Sequence, residues 1–393
     1  MIKFGTISYG VRTPIIKRGD DLVEIVSSSV LNSLKENNLE LQDRDIIGVT
    51  EAVVGISQGN FATVEHIAKD VEKKFKGKTV GLIFPIMSRN RFSLLLKGIS
   101  MGCEKLVIML TYPSDEVGNP LIAQEKLYES GINPYGKALS EKEFRKAFGE
   151  TKHLFTGVDY IEFYKEIAGP NCEIIFGNRA ENILDYTKYV INADIHTRKQ
   201  TKHHLLKCGA KKVVSLDEIL TESVDGSGFN EKYGLLGSNI NTDTEVKLFP
   251  RETEKFAYDL QKRFKELTGK NVECLVYGDG AFKDPVGKIW ELADPVVSPG
   301  FTSGLLGTPN EIKLKYISET KLANMTGEEA SKAFKEIVKN KSGNSRENKR
   351  DALGTTPRQL TDLIGSLCDL TSGSGDKGTP VVLIQNYFKN YAD

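Results

Sequence analysis

The chain has 393 residues, 39% apolar and 27% charged, and its 53 Lys plus Arg balance 53 Asp plus Glu. Two domains are the natural expectation for that length, and the zero formal charge argues against a nucleic-acid partner or an anionic membrane surface. No stretch approaches the ~20 apolar residues needed to span a bilayer, and the first residues are no signal peptide, so the protein is expected in the cytoplasm, off the membrane.

The five cysteines are scattered singly, which fits neither a disulfide framework nor a zinc site. Residues 13–16 read as an extended strand. Gly19, Asp20 and Asp21 then supply a turn and an acidic start for a helix striped by Leu22, Ile25, Val26, Val30, Leu31 and Leu34. The apolar run 46–54 is a predicted strand. After it Gly55, Ser57, Gln58, Gly59 and Asn60 make a loop of small and amide residues that opens a helix over 64–75. Backbone N–H groups in such a loop could cradle a phosphate; a plain strand-to-helix connection fits the same residues.

Across 78–221, short apolar runs at 79–86, 106–111, 173–176 and 212–216 alternate with helical patterns, the rhythm of crossover units around a mostly parallel sheet. Arg89 and Arg91 follow the first run; Asp115 and Glu116 follow the second. Loops of opposite charge would suit a substrate with anionic and amino groups, with Arg89 and Arg91 binding it, and a salt bridge between the loops gives the same sequence. A polar excursion over 114–156 carries a predicted helix at 141–148.

Ser238, Asn239 and Asp243 lie in a second loop rich in small and polar residues. A strand over 245–249, a helix over 250–267 and a strand over 272–277 suggest one crossover that brings this loop beside the turn ending the last strand. There an apolar run stops at Gly278, Asp279 and Gly280, with Lys283, Asp284 and Pro285 close behind. A carboxylate between glycines at the end of a buried strand suits a metal or a phosphate-bearing ligand, and a surface turn with a capping Asp has the same composition. A strand over 311–318, a helix over 326–339 and a helix striped by Leu360, Leu363, Ile364, Leu367 and Leu370 follow. The glycine-rich residues 371–379 superficially resemble a P-loop. A helix precedes them and the strand 381–385 follows, the reverse of the Walker order, so a tight turn is expected.

Five of these stretches, taken together and in order, resemble the coenzyme F-420 glutamate ligase family of gamma-glutamyl ligases. They are residues 14–22, 45–50 with the loop to Gly59, 234–250 with the Ser238 and Asn239 pair, 270–279, and 361–382. The resemblance implies an α/β (mixed α+β) fold: a two-lobed ligase-like core of residues 1–77 and 226–393, and an inserted α/β domain of residues 78–225 on a mostly parallel sheet. It also implies an amide-forming ligase and homodimer that uses GTP (or ATP) with Mg2+ or Mn2+ on small-molecule substrates. Asp279 falls on the family's acidic metal position. In that frame Asp279, Lys283 and Asp284 form the catalytic set, with Asp243 or Asp284 as the second metal ligand. Gly55, Ser57, Gln58, Gly59, Ser238, Asn239 and Gly280 contact the nucleotide.

The chain also departs from the family's pattern. The Lys, Glu and Arg of the family's first loop are missing from residues 55–60, Leu236 replaces an Asp, and residues 283–286 replace Arg-Pro-Trp-Arg. These losses motivate an expectation of another class, a nucleotide- or small-molecule-binding protein that kept the fold without turnover.

Overall fold

Apolar runs rich in Val and Ile build two large sheets, and the helices between them carry the stripes that cover both. The computed structural model describes residues 4–89, 91–153, 157–278, 282–283, 290–291, 296–309, 312–340, 358–373 and 375–390. The chain begins β1 (Ile7–Val11), α1 (Leu22–Glu36), β2 (Ile46–Thr50), α2 (Glu51–Ser57), β3 (Phe61–Thr63) and α3 (Val64–Phe75). It continues β4 (Thr79–Ile83), α4 (Ser93–Met101), β5 (Lys105–Leu110), α5 (Gln124–Ser130), β6 (Leu139–Ser140), α6 (Glu141–Phe148), α7 (Tyr160–Ala168), β7 (Cys172–Phe176), β8 (Tyr189–Asn192), α8 (Arg198–Lys207) and β9 (Lys212–Ser215). Next come β10 (Asn239–Ile240), β11 (Glu245–Lys247), α9 (Thr253–Thr268), β12 (Glu273–Tyr277) and the pair β13 (Phe282–Lys283) and β14 (Trp290–Glu291). The rest is β15 (Gly300–Phe301), α10 (Leu314–Thr320), α11 (Gly327–Asn340), α12 (Leu360–Ser372) and β16 (Val381–Gln385).

The first sheet has the order β1-β16-β2-β12-β15. Its central strands β2 and β12 run parallel, with Glu273 opposite Ile46 and Tyr277 opposite Thr50, and the flanking pairings are antiparallel. Both faces are covered, which is why β16 is buried along its whole length. Stripes from α1 and α9 pack on one face with Val26, Val30, Leu260 and Phe264, and α12 packs on the other with Ile364 and Cys368. Gly48 permits the α12 contact: a Cβ there would stand 2.4 Å from the Cys368 sulfur.

The second sheet has the order β6-β7-β5-β4-β8-β9, parallel except for β6. The first parallel strand in the chain, β4, lies between β5 and β8, so the winding reverses there as in doubly wound folds. The mixed α/β class and the mostly parallel sheet thus stand as expected. The surrounding apolar core also takes in Ala62, Val64, Ile67 and Phe75 before the sheet, and Leu235, Leu236, Val246 and Leu248 after it. Apolar packing therefore runs across residues 77/78 and 225/226.

Three local expectations are corrected. Residues 13–16 are not a strand, since β1 ends at Val11 and Pro14 has no N–H for a ladder. The expected strand at 311–318 gives way to the helix α10 over Leu314–Thr320, where Ile317 is the one buried residue, so the segment lacks the alternating burial of a strand. Strand β11 does not join β12 through a crossover within one sheet; it pairs with β3 and β10 in a separate three-stranded sheet.

Candidate functional site

Because β2 and β12 are parallel, their carboxyl ends meet on one edge, where β16 begins. A cavity of about 410 Å³ opens there, walled by residues 13–16, Thr50, Tyr277 and Asp369, and by Ser372, Gly373 and Thr379 of the turn between α12 and β16. Backbone bonds fix its rim: the Thr50 N–H donates to the Pro380 carbonyl at 3.0 Å and the Thr13 N–H to that of Gly378 at 3.3 Å. The Thr379 hydroxyl donates to the Ser372 carbonyl at 2.8 Å. Gly373 and Gly378 have φ of +62° and +66°, a region that favours glycine, so the turn presents bare backbone to the cavity. The Lys377 amine folds back over it, 2.6 Å from where a Cβ on Gly373 would stand. Burial pushes the Tyr277 phenol up, so at neutral pH it is a donor, and it reaches the Pro380 carbonyl at 3.4 Å.

The acidic turn issues from this same strand end. Gly278 follows Tyr277, and its N–H donates to the Val297 carbonyl at 2.8 Å. Asp279, Gly280 and Asp284 lie outside the described residues, and Lys283 belongs to β13, opposite Trp290.

The other predicted nucleotide contacts do not meet at this cavity. Gly55 and Ser57 belong to α2, not to a loop. The N–H groups of Gln58, Gly59, Asn60 and Phe61 donate to carbonyls of residues 54–59, and the Ser57 hydroxyl donates to Val54. Donors already used within the chain cannot cradle a phosphate. The Gln58 side chain instead brackets the Arg251 backbone, donating to its carbonyl at 2.6 Å and accepting from its N–H at 2.9 Å. Ser238 is buried with its hydroxyl donated to Leu235 at 2.7 Å, and Asn239 pairs with Lys247 in β10. Asp243 is exposed, in the turn between β10 and β11, and is not among the residues lining the cavity.

Arg89 and Arg91 follow β4 at the carboxyl edge of the six-stranded sheet, Arg89 exposed and Arg91 half-buried. The acidic pair after β5 serves another end. Asp115 accepts from the N–H groups of Met87 at 2.7 Å and Asn119 at 2.8 Å, and burial pushes its carboxyl up to about 6. Glu116 accepts from the N–H groups of Ile195 at 2.6 Å and His196 at 3.1 Å. These carboxylates staple the loops after β4, β5 and β8 through backbone donors.

One buried pair escaped sequence reasoning. Lys247 donates to both oxygens of Glu51 at 2.7 and 2.5 Å, and each side chain is only 6% exposed. The signal was a charged residue inside each of two apolar runs, 46–54 and 245–249. Among the described residues no group of three or more His, Cys, Asp or Glu side chains could hold a metal, and Asp369 is the one described carboxylate on the cavity wall. No helix among them is long and apolar enough to cross a membrane. The family model described as F420-0:Gamma-glutamyl ligase matches residues 10–386, and no curated protein matches the chain.

Proposed function

The chain belongs to the F420-0:Gamma-glutamyl ligase family and is a ligase, and from that premise we propose that it joins an amino acid such as glutamate to a small carboxylate acceptor through an acyl phosphate. An acceptor carboxylate oxygen attacks the terminal phosphorus of GTP or ATP, releasing the nucleoside diphosphate. The amino group then attacks the acyl carbon, phosphate leaves, and the proton from nitrogen passes to solvent or a nearby base. The protein's part is positioning and neutralising charge.

The observation that carries this is the cavity at the β2 and β12 carboxyl edge, lined by the glycine-rich turn and by Tyr277, two residues before Asp279, with the Lys377 amine beside Gly373 of that turn. Gly373, Gly378 and Thr379 would approach the phosphates, with Lys377 balancing their charge. For Mg2+ or Mn2+ the described residues alone offer too few carboxylates. The proposed ligand set is Asp279 with Asp369 and the nucleotide's own phosphates, since Mg2+ needs only one or two protein carboxylates. Bound there, the ion would offset the negative charge of the transferring phosphoryl group. Lys283 and Asp284 remain proposed contributors beside Asp279. The two-lobed division, a homodimer and a cytoplasmic setting complete the proposal.

A binding protein without turnover is favoured by one observation: Leu236, at a position where the family has Asp, is buried in the apolar core at 3% exposure. Nucleotide hydrolysis decides between the two. With GTP or ATP, Mn2+, a panel of small carboxylic acids and amino acids, the ligase releases phosphate only when acceptor and amine are both present. Asp279→Asn abolishes this release while the melting temperature holds. Nucleotide binding without release under any combination leaves the binding protein.

A further inference from the structure

The cavity wall made by residues 13–16 is a strap outside any sheet, and its two ends are fixed to different parts of the molecule. At one end the Thr13 N–H donates to the Gly378 carbonyl of the glycine-rich turn. At the other, the Arg18 guanidinium reaches the three-stranded sheet. Its Nη2 donates to both carboxylate oxygens of Glu245 on β11, to Oε2 at 2.7 Å, and its Cζ lies 3.9 Å over the centre of the Phe61 ring on β3. The Gly19 N–H adds a bond to the Ser57 carbonyl at 2.9 Å.

Between these anchors the backbone is left open. Pro14 has no N–H, and the N–H groups of Ile15 and Ile16 donate to no acceptor among the described residues. Neighbouring side chains on an extended chain point to opposite sides. Ile16 accordingly packs against the core under β1 and α1, whereas Ile15 lines the cavity and is 86% exposed. An apolar side chain and two unused donors thus stand on the wall that a bound molecule would meet. Arg18 is not among the residues lining the cavity, so its pair and ring contact act on the site only through the strap.

We infer that residues 13–16 are the cover of this cavity and that Arg18, held by Glu245 and Phe61, is the positioning residue that sets it; the inference rests on the ligase function proposed above. The cover protects the intermediate. Water reaching the acyl phosphate forms a bond to phosphorus while the bond from phosphorus to the acyl oxygen breaks. The acceptor carboxylate and inorganic phosphate, which keeps the water's oxygen and protons, are released, and a nucleotide is spent without an amide. Ile15 lying across the bound molecule excludes that water, and the Ile15 and Ile16 N–H groups donate to its oxygens.

Two measurements on the full chain test this. Hydrogen exchange at the Ile15 and Ile16 amides of native protein should slow by about tenfold or more when GTP and Mn2+ bind, the scale of one hydrogen bond to a charged group. Unchanged exchange on binding would overturn the cover, and no GTP binding at all would overturn cover and ligase together. The second measurement is phosphate released per amide formed, with the acceptor and amino acid of the panel that support turnover. In native protein the two should match. Arg18→Gln should raise the ratio by about fivefold, the factor for an exposed ion pair and its ring contact, at an unchanged melting temperature, since the Arg18 side chain is 56% exposed. Arg18→Glu combined with Glu245→Arg, which restores the pair in reverse, should return the ratio toward the native one. Partial unfolding lowers both rates and leaves their ratio alone, so a merely structural role does not move this readout. An unaltered ratio in both Arg18→Gln and Glu245→Gln would overturn the positioning role. Slowed exchange without phosphate release for any acceptor would keep the cover and remove the ligase function; amide formation with unprotected amides would do the reverse.

Discussion

Glu51 and Lys247 face each other where water is nearly excluded, at the junction of β2, α2 and β11. Removing a charge from water costs several kcal/mol, offset only while its partner remains. Lys247→Met should therefore destabilise the fold by about 3–5 kcal/mol, read as a lower urea midpoint; a variant within about 1 kcal/mol of the parent, the worth of an exposed pair, would contradict the burial. Asp115 carries a pH signature. Its carboxyl is raised from 3.8 to about 6, so the fold holds the proton more tightly than the unfolded chain does. The stabilisation is complete below the unfolded value and is lost as pH rises through the folded one. Between pH 4 and 6 the parent should lose up to about 3 kcal/mol relative to Asp115→Asn, and a pH-independent difference would sink the assignment. Neither role was legible in the sequence. The acidic pair after β5 shows that charge is there, but not that its partners are backbone N–H groups of other loops.

At the scale of elements, legibility followed periodicity. Helix α6 occupies Glu141–Phe148, with Ser140 and Glu143 forming its capping box, and α12 and β16 also lie where the stripes put them. The run 46–54 misled because Val53 and Val54 are β-branched and continue the strand's composition. Glu51 marks the break: only residues 46–50 join the sheet, and the helix that follows takes Gly55 and Ser57 out of any loop. The turn after α12 teaches the converse. Its order excludes a Walker loop, yet its glycines still line a cavity, since bare backbone suits a ligand in either topology. The approach of α12 to β2 depends on Gly48, so Gly48→Ala should cost about 1–3 kcal/mol as Cys368 is displaced. A narrower cavity at the turn after α12 should accompany that loss, and with it weaker binding of the nucleotide proposed to sit there. Thermal melting together with GTP titration checks it, and an unchanged melting temperature would mean the contact is looser than 2.4 Å implies.

At the scale of the whole molecule, two sheets present two carboxyl edges, and the sequence could not say which residues share an edge. The mixed α/β class and the mostly parallel sheet were readable from alternating runs, and the family from five ordered stretches. The grouping of Ser238, Asn239 and Asp243 with the acidic turn was not. It assumed a crossover into one sheet, whereas β11 pairs with β3. The residues that do converge, from 13–16, Thr50, Asp369 and the 372–380 turn, are far apart in sequence and individually ordinary. The most direct test of the proposed chemistry is a crystal structure of the protein with GTP and Mn2+. The nucleotide phosphates are expected in the cavity between residues 13–16 and the glycine-rich turn, within reach of Lys377, with the metal on Asp279. Phosphates bound instead at the carboxyl edge of the six-stranded sheet, beside Arg89 and Arg91, would contradict that assignment.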